Sequence, residues 1–371
     1  MQRAEAGKKE FTAETPRRRA EKKIISGTLI KKSDSGFLCV SAALRFKFSM
    51  DKVRIGIIGT GYIGNVHGRI YSRDERAEIS ALFDIVTERA EKTSRTIGGK
   101  VCVSREELLD NCDAVLICSP NKTHKEIALN AIAAGKHVFC EKPFAIGIEN
   151  AKELLDAANS GKYVFQVGHN RRYAPVYAKL NELLKRDTAH SAHIKMNRGE
   201  LKNPVWTGDV NVTGGFLYET TIHLFDMMRF QFGEIEELIA YGSRHEYPEL
   251  DEFSIIVKFK GGFHCTFASS SDASWHFPFE RIEVFCHHRT IMTEEMERLL
   301  DSRGMDANFE TLSWHMTEKE ERWGYVQEDR AFIDSILDGI PPPVTAFDGF
   351  KSVELVEAVY KAVKNGERII F

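Results

Sequence analysis

The sequence predicts an α/β protein: an N-terminal, doubly wound parallel sheet followed by an α+β domain on a large, mainly antiparallel, open sheet. Three patterns indicate this arrangement. Apolar strands alternate with helical segments over residues 53–167, which is typical of parallel sheets covered by helices. The first strand runs directly into a glycine-rich turn. From residue 190 onwards, strands follow one another with short connections, which favours antiparallel pairing.

The chain length fits two domains, since 371 residues correspond to two units of roughly 150 residues and a remainder. We expect a first domain at 50–170 and a second at 171–371, whose last helices can pack back on the first domain. Within the second domain, the stretch 302–316 lacks a clear pattern, and we expect it to be irregular.

The glycine-rich turn has the G-x-G-x-x-G spacing of a dinucleotide-binding loop, between a strand at 53–58 and a helical pattern. The first glycine allows a tight turn, the second lets the backbone approach a pyrophosphate, and the third allows close packing of helix and strand. The helix N-terminus then faces the phosphates with its partial positive charge. The residues expected to bind the cofactor here are Gly59, Thr60, Gly61, Tyr62, Ile63 and Gly64.

Asp84 indicates which dinucleotide binds. It ends the second predicted strand, 20 residues after Gly64, where a carboxylate accepts hydrogen bonds from the adenosine ribose. A negative charge there repels the 2′-phosphate of NADP, and no arginine follows directly to attract it. The sequence therefore predicts NAD as the cofactor in preference to NADP.

Polar residues also follow three later strands, which are predicted within 114–167. Because ligands bind at the carboxyl ends of the strands in open α/β sheets, we expect these residues to meet at one site. We expect Arg171 to contact the cofactor and Asn170 and Arg172 to contact the substrate, with structural ion pairing as the alternative for the arginines. The other predicted cofactor residues are Ser119, Pro120, Asn121, His124, Glu141 and Lys142.

A second polar cluster lies on a mostly apolar helix predicted at 216–232. Spacings of four and three residues place Glu219, His223 and Asp226 on one face of this helix. Histidine suits general acid–base chemistry because its ordinary pKa lies near neutrality. The alternatives are a hydrogen-bonded core histidine for His223 and, favoured for Asp226, a structural hydrogen-bond partner. Glu219 and His223 alone provide too few ligands for a metal, so we predict no metal site.

Together these segments resemble the glucose-fructose oxidoreductase/inositol dehydrogenase/MocA family of NAD(P)-dependent oxidoreductases, over essentially all of residues 52–371. The resemblance implies an N-terminal Rossmann domain and a C-terminal α+β domain. The open sheet of the latter would cover the active site on one face and build a homodimer or homotetramer on the other. The motifs that carry the resemblance are the glycine-rich turn, Ser119-Pro120-Asn121-Lys122-Thr123-His124, the run 134–143 ending in Glu141-Lys142-Pro143, Gly168-His169-Asn170-Arg171-Arg172-Tyr173, and Gly214-Gly215 with His223 and Asp226 downstream.

The resemblance also assigns catalytic roles. Lys142 is the catalytic lysine, placed beside the nicotinamide to stabilise a developing alkoxide, and a cis peptide bond before Pro143 is expected. His223 is the general acid–base and Glu219 supports it, although the family usually has Asp at that position and Gly in place of Thr221. All three catalytic residues are also expected to contact the substrate.

Trp206 lies in a loop punctuated by proline and glycine, before the helix that carries His223. An indole there can stack on a sugar ring, so we predict a substrate contact; a hydrophobic plug is the alternative.

These features predict an enzyme that transfers a hydride between NAD and a secondary alcohol or ketone of a sugar, inositol or sugar derivative. Two alternatives stay open. The same cofactor can oxidise a carbon transiently, so that a glycoside is cleaved or a centre epimerised without net redox change. The chain can also be a nucleotide sensor without catalysis, because fold alone does not fix function.

The charge distribution bears on partners. Residues 1–50 carry 12 Lys and Arg against 5 Asp and Glu, whereas the remaining residues carry 39 against 49. An acidic body argues against nucleic acid as a partner, and no apolar run reaches the ~20 residues of a membrane span. We expect 1–49 to be disordered or an over-extended reading frame, because Met50 directly precedes the first strand.

The cysteines indicate the compartment. The chain has seven, an odd number, and no pair has C-x-x-C spacing. Several lie within apolar runs, so we expect buried, reduced thiols and a cytoplasmic protein.

Overall fold

The computed structural model describes residues 52–198, 205–271, 273–274, 278–305 and 308–371. The expectation for the basic segment 1–49 lies outside the described residues. The described part of the chain contains a six-stranded and a nine-stranded sheet.

The first sheet consists of β1 (Val53–Ile58), β2 (Ala77–Phe83), β3 (Lys100–Val101), β4 (Ala114–Ile117), β5 (His137–Glu141) and β6 (Phe165–Gly168). All neighbouring strands are parallel, in the order β3-β2-β1-β4-β5-β6. Both side-chain faces of β4 and β6 are buried, as expected for strands covered by helices on both sides. The predicted doubly wound sheet is thus confirmed.

Five helices connect these strands: α1 (Tyr62–Tyr71), α2 (Thr87–Ile97), α3 (Arg105–Asp110), α4 (His124–Ala133) and α5 (Ile148–Ala158). The side chain of Ser104 caps α3 by accepting a hydrogen bond from the Glu107 amide at 3.1 Å. The connections place the ends of β1, β4 and β5 side by side at one edge of the sheet.

The second sheet consists of β7 (Ala189–Met196), β8 (Ile235–Ser243), β9 (Glu252–Phe259), β10 (His264–Ser270), β11 (Glu280–Cys286), β12 (Arg289–Glu294), β13 (Arg298–Arg303), β14 (Asn308–Ser313) and β15 (Ile369–Ile370). Its strand order is β14-β13-β12-β11-β7-β10-β9-β8-β15. Among the described strands of this second sheet, only β7 and β10 pair in parallel. Buried and exposed residues alternate along β9, so one face is covered and the other is open. The predicted α+β half with a mainly antiparallel open sheet is also confirmed.

The helices of the second half are α6 (Pro175–Leu184), α7 (Val210–Thr213), α8 (Ile222–Phe232), α9 (Lys319–Arg322), α10 (Tyr325–Asp338) and α11 (Ala346–Asn365). α10 packs on α1 and β1, and α11 packs on α5, β6 and β8. The last long helices therefore contact both sheets. A capping box at Thr345 and Asp348 begins α11.

The expectation that 302–316 is irregular is wrong, because β13 and β14 form an antiparallel pair there. β14 is an edge strand of the sheet, and its residues Phe309, Glu310, Thr311 and Ser313 are exposed. A strand with little burial on either face lacks the alternation of apolar and polar residues by which strands are identified.

Among the described residues, no helix has both the length and the apolar character that crossing a membrane requires.

Candidate active site

The glycine-rich turn joins β1 to α1 and leaves room for a ligand. Gly59 has a φ of 93°, and a Cβ there would lie 2.6 Å from the Cys118 carbonyl oxygen. A Cβ on Gly64 would lie 2.1 Å from the Gly59 carbonyl oxygen, so both positions require glycine. A Cβ on Gly61, in contrast, would meet no described atom within 4 Å. The turn therefore presents accessible backbone at the N-terminus of α1, which fits a bound pyrophosphate.

Asp84 follows β2 and binds the same turn. Its Oδ2 accepts hydrogen bonds from the Thr60 amide at 2.8 Å and the Thr60 hydroxyl at 3.1 Å. Its Oδ1 accepts a hydrogen bond from the Val86 amide at 2.9 Å. The carboxylate thus joins the glycine-rich turn to the end of β2, while the neighbouring Tyr62 ring is exposed and Ile63 is half-buried.

His124 ties the loops after β4 and β5 together. Its Nδ1 lies 2.7 Å from the Pro143 carbonyl oxygen, and its Nε2 lies 2.8 Å from the Ser119 carbonyl oxygen. We expected this side chain to contact the cofactor, but both nitrogens are used within the protein. Pro120 takes part in the same loop by accepting the Thr123 amide hydrogen bond at 2.9 Å.

Lys142, Asn121 and Glu219 meet at the edge of the sheet, from three separate segments. Lys142 Nζ donates to the Glu219 carbonyl oxygen at 2.8 Å and lies 3.7 Å from Glu219 Oε1. Asn121 Nδ2 donates to Glu219 Oε2 at 2.9 Å. The side chains of Lys142 and Glu219 are 14% and 17% exposed, so a small ligand can reach them. The Lys142–Pro143 peptide bond is cis, as expected.

His223 lies on α8 and is buried. Its Nδ1 has no hydrogen-bond partner among the described residues. Burial lowers the pKa of His223 well below its ordinary value, and the positive charges of Arg171 and Lys142 lower this pKa further. The imidazole is therefore neutral near pH 7 and can accept a proton.

Glu219 does not hydrogen-bond to His223 in the described structure, although we expected it to support that residue. Glu219 lies in a π-helical turn, Leu217–Thr221, which directly precedes α8. The π-helical turn has a wider winding, so a spacing of four residues no longer aligns two side chains as it does in an α-helix. Glu219 turns to Asn121 and Lys142 instead.

Arg171 is held in a buried ion pair. Its Nη2 and Nε donate to Glu280 Oε2 at 2.6 Å and 2.9 Å, and the side chain is 2% exposed. The Tyr177 hydroxyl donates to the other oxygen of Glu280 at 2.5 Å. We expected Arg171 to contact the cofactor; the structure instead uses its guanidinium to join the loop after β6 to the second sheet.

Arg172 and Asn170 are also committed to protein contacts. Arg172 donates from Nη2 and Nε to the two carboxylate oxygens of Asp226 at 2.6 Å and 2.7 Å, so Asp226 has the structural role predicted for it. Asn170 Nδ2 donates to the Trp323 carbonyl oxygen at 2.8 Å. Trp206, in contrast, lies in a 3₁₀ turn with 39% of its surface exposed.

His169 and Arg198 are residues of the site that we did not predict. The His169 and His223 ring centroids lie 6.4 Å apart, and neither His169 nitrogen has a partner among the described residues. The charge of Arg198 helps to lower the pKa of His223. The position of His169 directly after a strand was an available signal. Arg198 had no such signal, because its approach depends on how the two sheets face each other.

A buried cluster of ionisable groups lies directly behind Lys142. His67 Nδ1 lies 2.7 Å from Asp329 Oδ1, and His67 Nε2 lies 3.0 Å from Glu141 Oε1. The other Glu141 oxygen accepts the Lys142 amide hydrogen bond at 3.1 Å. Glu328 completes this cluster, and its carboxylate oxygens have no partner among the described residues. The predicted cofactor residue Glu141 therefore faces the protein interior.

Glu328 makes stability depend on pH. Burial raises the pKa of Glu328 well above its ordinary value, and the negative charge of Glu141 raises this pKa further. Between the unfolded and the folded pKa values, Glu328 is thus protonated in the folded protein but ionised in the unfolded chain. Its contribution to stability is complete below the unfolded pKa and is lost as the pH rises towards the folded pKa.

We therefore expect Glu328→Gln, which has no proton to lose, to be more resistant to unfolding than the wild type at pH 8. The difference in unfolding free energy should grow by up to about 1.4 kcal/mol per pH unit above roughly pH 4.5. Urea unfolding of both proteins at pH 5 and pH 8 measures it. An equal difference at both pH values would show that Glu328 does not titrate as described.

The parallel sheet and the open glycine turn at its carboxyl edge are typical of a nucleotide-dependent oxidoreductase. Two family models match the chain: the oxidoreductase family with an NAD-binding Rossmann fold over residues 53–169, and the C-terminal alpha/beta domain of that family over residues 187–370. The protein therefore belongs to the glucose-fructose oxidoreductase/inositol dehydrogenase/MocA family.

Individual relatives agree with this assignment. The chain is 29% identical over 326 residues to myo-inositol 2-dehydrogenase of Thermotoga maritima, which covers 84% of this chain and 96% of the relative. It is 27% identical over 335 residues to inositol 2-dehydrogenase of Rhizobium meliloti, covering 85% and 98%. Apo scyllo-inositol dehydrogenase from Lactobacillus casei has the same fold, with a TM-score of 0.71 at 22% identity over 87% of this chain and 99% of that chain.

The predictions of the family, of NAD as cofactor and of an oxidoreductase acting on CH–OH groups are confirmed.

Proposed function

We propose that the protein oxidises a secondary hydroxyl group of inositol, or of a similar cyclic polyol, with NAD, and that Lys142 and His223 carry out the proton chemistry. One observation carries the proposal: Lys142, at the carboxyl edge of the nucleotide-binding sheet, binds the Glu219 carbonyl oxygen in the turn that leads into α8, the helix that carries His223. The inositol dehydrogenases among the relatives support the choice of substrate.

The two residues have complementary roles. An alcohol that loses a hydride from its carbon must also lose its hydroxyl proton, so that a ketone forms. The neutral imidazole of His223 accepts that proton. The Lys142 ammonium group stabilises the negative charge that develops on the oxygen. In the reverse direction, the same histidine returns the proton.

Glu219 and Asn121 act on Lys142. The Glu219 carbonyl oxygen binds Nζ, and Asn121 binds the Glu219 carboxylate, so the ammonium group is oriented before substrate arrives. Glu219 is in this way a positioning residue as well as a candidate substrate contact, and Trp206 is a candidate for stacking on the polyol ring.

The cofactor would be held by the glycine-rich turn and Asp84. The open backbone at Gly61 suits the pyrophosphate, and Asp84 stands where the adenosine ribose is expected. Bound NAD supplies the hydride acceptor. The Ser119–Asn121 segment and Lys142 would border the nicotinamide end.

A turnover screen tests this proposal. Purified protein is incubated with NAD or NADP and with inositols, hexoses and sugar acids, and NADH absorbance is followed. We expect turnover with a cyclic polyol and a preference for NAD. Cleavage of a glycoside or epimerisation without net NADH would favour the transient-oxidation alternative, and NAD binding without any turnover would favour a sensor.

The open face of the second sheet supports a homodimer or homotetramer. Ile239 and Ile256 are paired across β8 and β9, and with Tyr241 and Ile370 they form an exposed apolar area at 39%, 55%, 74% and 66% exposure. Such patches on a sheet face mark association surfaces. Light scattering that gives the monomer mass of 42.1 kDa would contradict this assembly.

A cytoplasmic location fits the cysteines. The six in the described residues are free and buried, as in proteins of reducing compartments. Recovery of the protein in a secreted or periplasmic fraction would contradict this location.

A further inference from the structure

The buried cluster behind Lys142 has no part in the proton chemistry proposed above, yet it contacts the catalytic segment directly. Glu141 is the link, because one of its carboxylate oxygens faces His67 and the other accepts the Lys142 amide hydrogen bond. Asp329, on α10, faces the opposite side of the His67 ring. A chain of contacts therefore runs from the second half of the protein to the main chain of Lys142.

The contacts of its two ring nitrogens favour a charged His67. Both ring nitrogens lie within hydrogen-bond distance of a carboxylate oxygen, at 2.7 Å and 3.0 Å. A neutral imidazole has one N–H group, whereas an imidazolium has two and can donate to both carboxylates. Burial opposes a charge on this ring, but Asp329 and Glu141 hold the pKa of His67 well above its ordinary value.

The surroundings of His67 fix the orientation of its ring. The ring packs edge-on against Phe139 and Tyr325, with centroids 5.1 Å and 5.5 Å away. Burial raises the pKa of Asp329, and it also raises the pKa of the other ionisable groups that face the cluster. They are Tyr71, Cys118, Tyr325 and Glu328.

We propose that His67 is a positioning residue for Lys142, acting as a buried imidazolium that is shared by Asp329 and Glu141. It fixes the Glu141 carboxylate, and this carboxylate fixes the backbone amide of Lys142. The inference rests on the proposed function of Lys142. A different occupant of the cluster, a divalent cation bound by His67, Glu141 and Glu328, would need the Nε2 lone pair and is incompatible with an imidazolium.

The protonation state of His67 can be tested without any substrate. Long-range ¹H–¹⁵N spectra of the full-length protein at pH 8 should contain one histidine with both ring nitrogens protonated, and His67→Gln should lack that signal. A neutral tautomer for His67, or one equivalent of divalent metal in the purified protein, would overturn the proposal. This measurement stands even if the polyol screen fails, so the two failures can be distinguished.

The positioning role is tested by kinetics on the same variant. His67→Gln should lower kcat by about tenfold to a hundredfold, because a small displacement of a catalytic group is costly, while KM and the NAD dissociation constant change little. His137→Gln is the matched control, since His137 lies at the other end of β5, where it accepts the Val164 amide hydrogen bond at 3.0 Å. Its kcat should equal that of the wild type.

Should His67→Gln fail to fold, Asp329→Asn keeps the shape and removes one carboxylate charge. This variant should lower kcat and lose the doubly protonated signal. Wild-type kcat in either variant, or a fall in NAD affinity as large as the fall in kcat, would overturn the positioning role.

Discussion

Lys142→Ala is expected to lower kcat for polyol oxidation by about a hundredfold to a thousandfold, the usual cost of removing one preorganised donor from a developing oxyanion. The ammonium group lies at the edge of the nucleotide-binding sheet, held by the Glu219 carbonyl oxygen. Because NAD is bound mainly elsewhere, its dissociation constant should change little. Initial rates of NADH formation and calorimetric NAD binding measure the two quantities.

Lys152→Ala provides the control for this variant. Lys152 is an exposed lysine on α5, so its loss removes the same charge from the molecule without touching the site. Its kcat should equal that of the wild type. Equal rates for Lys142→Ala and Lys152→Ala would refute the assignment of Lys142.

His223→Ala is expected to lower kcat by about a hundredfold to ten-thousandfold, the range for loss of a general acid–base. Added imidazole should restore part of the rate, since a small base can occupy the space left by the side chain. His315→Ala is the control, because that histidine is exposed and pairs only with Glu297 among the described residues. Full activity of His223→Ala, or a loss that imidazole leaves unchanged, would count against the proton transfer.

The same residue fixes a pH dependence. Burial and the charges of Arg171 and Lys142 lower the pKa of His223, so its base form persists below the ordinary histidine range. Polyol oxidation by the wild type should therefore keep its rate as the pH falls through 6.5, and decline only at lower pH. A decline centred on the ordinary value would show that the imidazole is not desolvated during turnover.

Local sequence patterns predicted the nucleotide-binding half well. The glycine spacing at 59–64 and the apolar runs of β1 and β4 are short-range signals, and the structure reproduces them. The family motifs also single out Lys142 and His223, whose catalytic roles stay predictions.

Contacts between distant residues explain what was missed. Arg171 pairs with Glu280, 109 residues later, and His67 faces Asp329, 262 residues later. No local pattern encodes such partners, so the sequence leaves cofactor contact and ion pairing open for Arg171 and gives no signal for His67. The π-helical turn at Leu217–Thr221 differs from the predicted helix for another reason: its sequence fits a regular α-helix equally well.

The most direct test of the account follows the transferred hydrogen. The polyol that supports turnover is prepared with deuterium on the carbon that becomes the ketone, and NADH is isolated after reaction. We predict one deuterium on the nicotinamide ring per ketone formed, and a transfer at least about a hundredfold slower with Lys142→Ala or His223→Ala. Product that forms while the NADH pool stays unlabelled would contradict it.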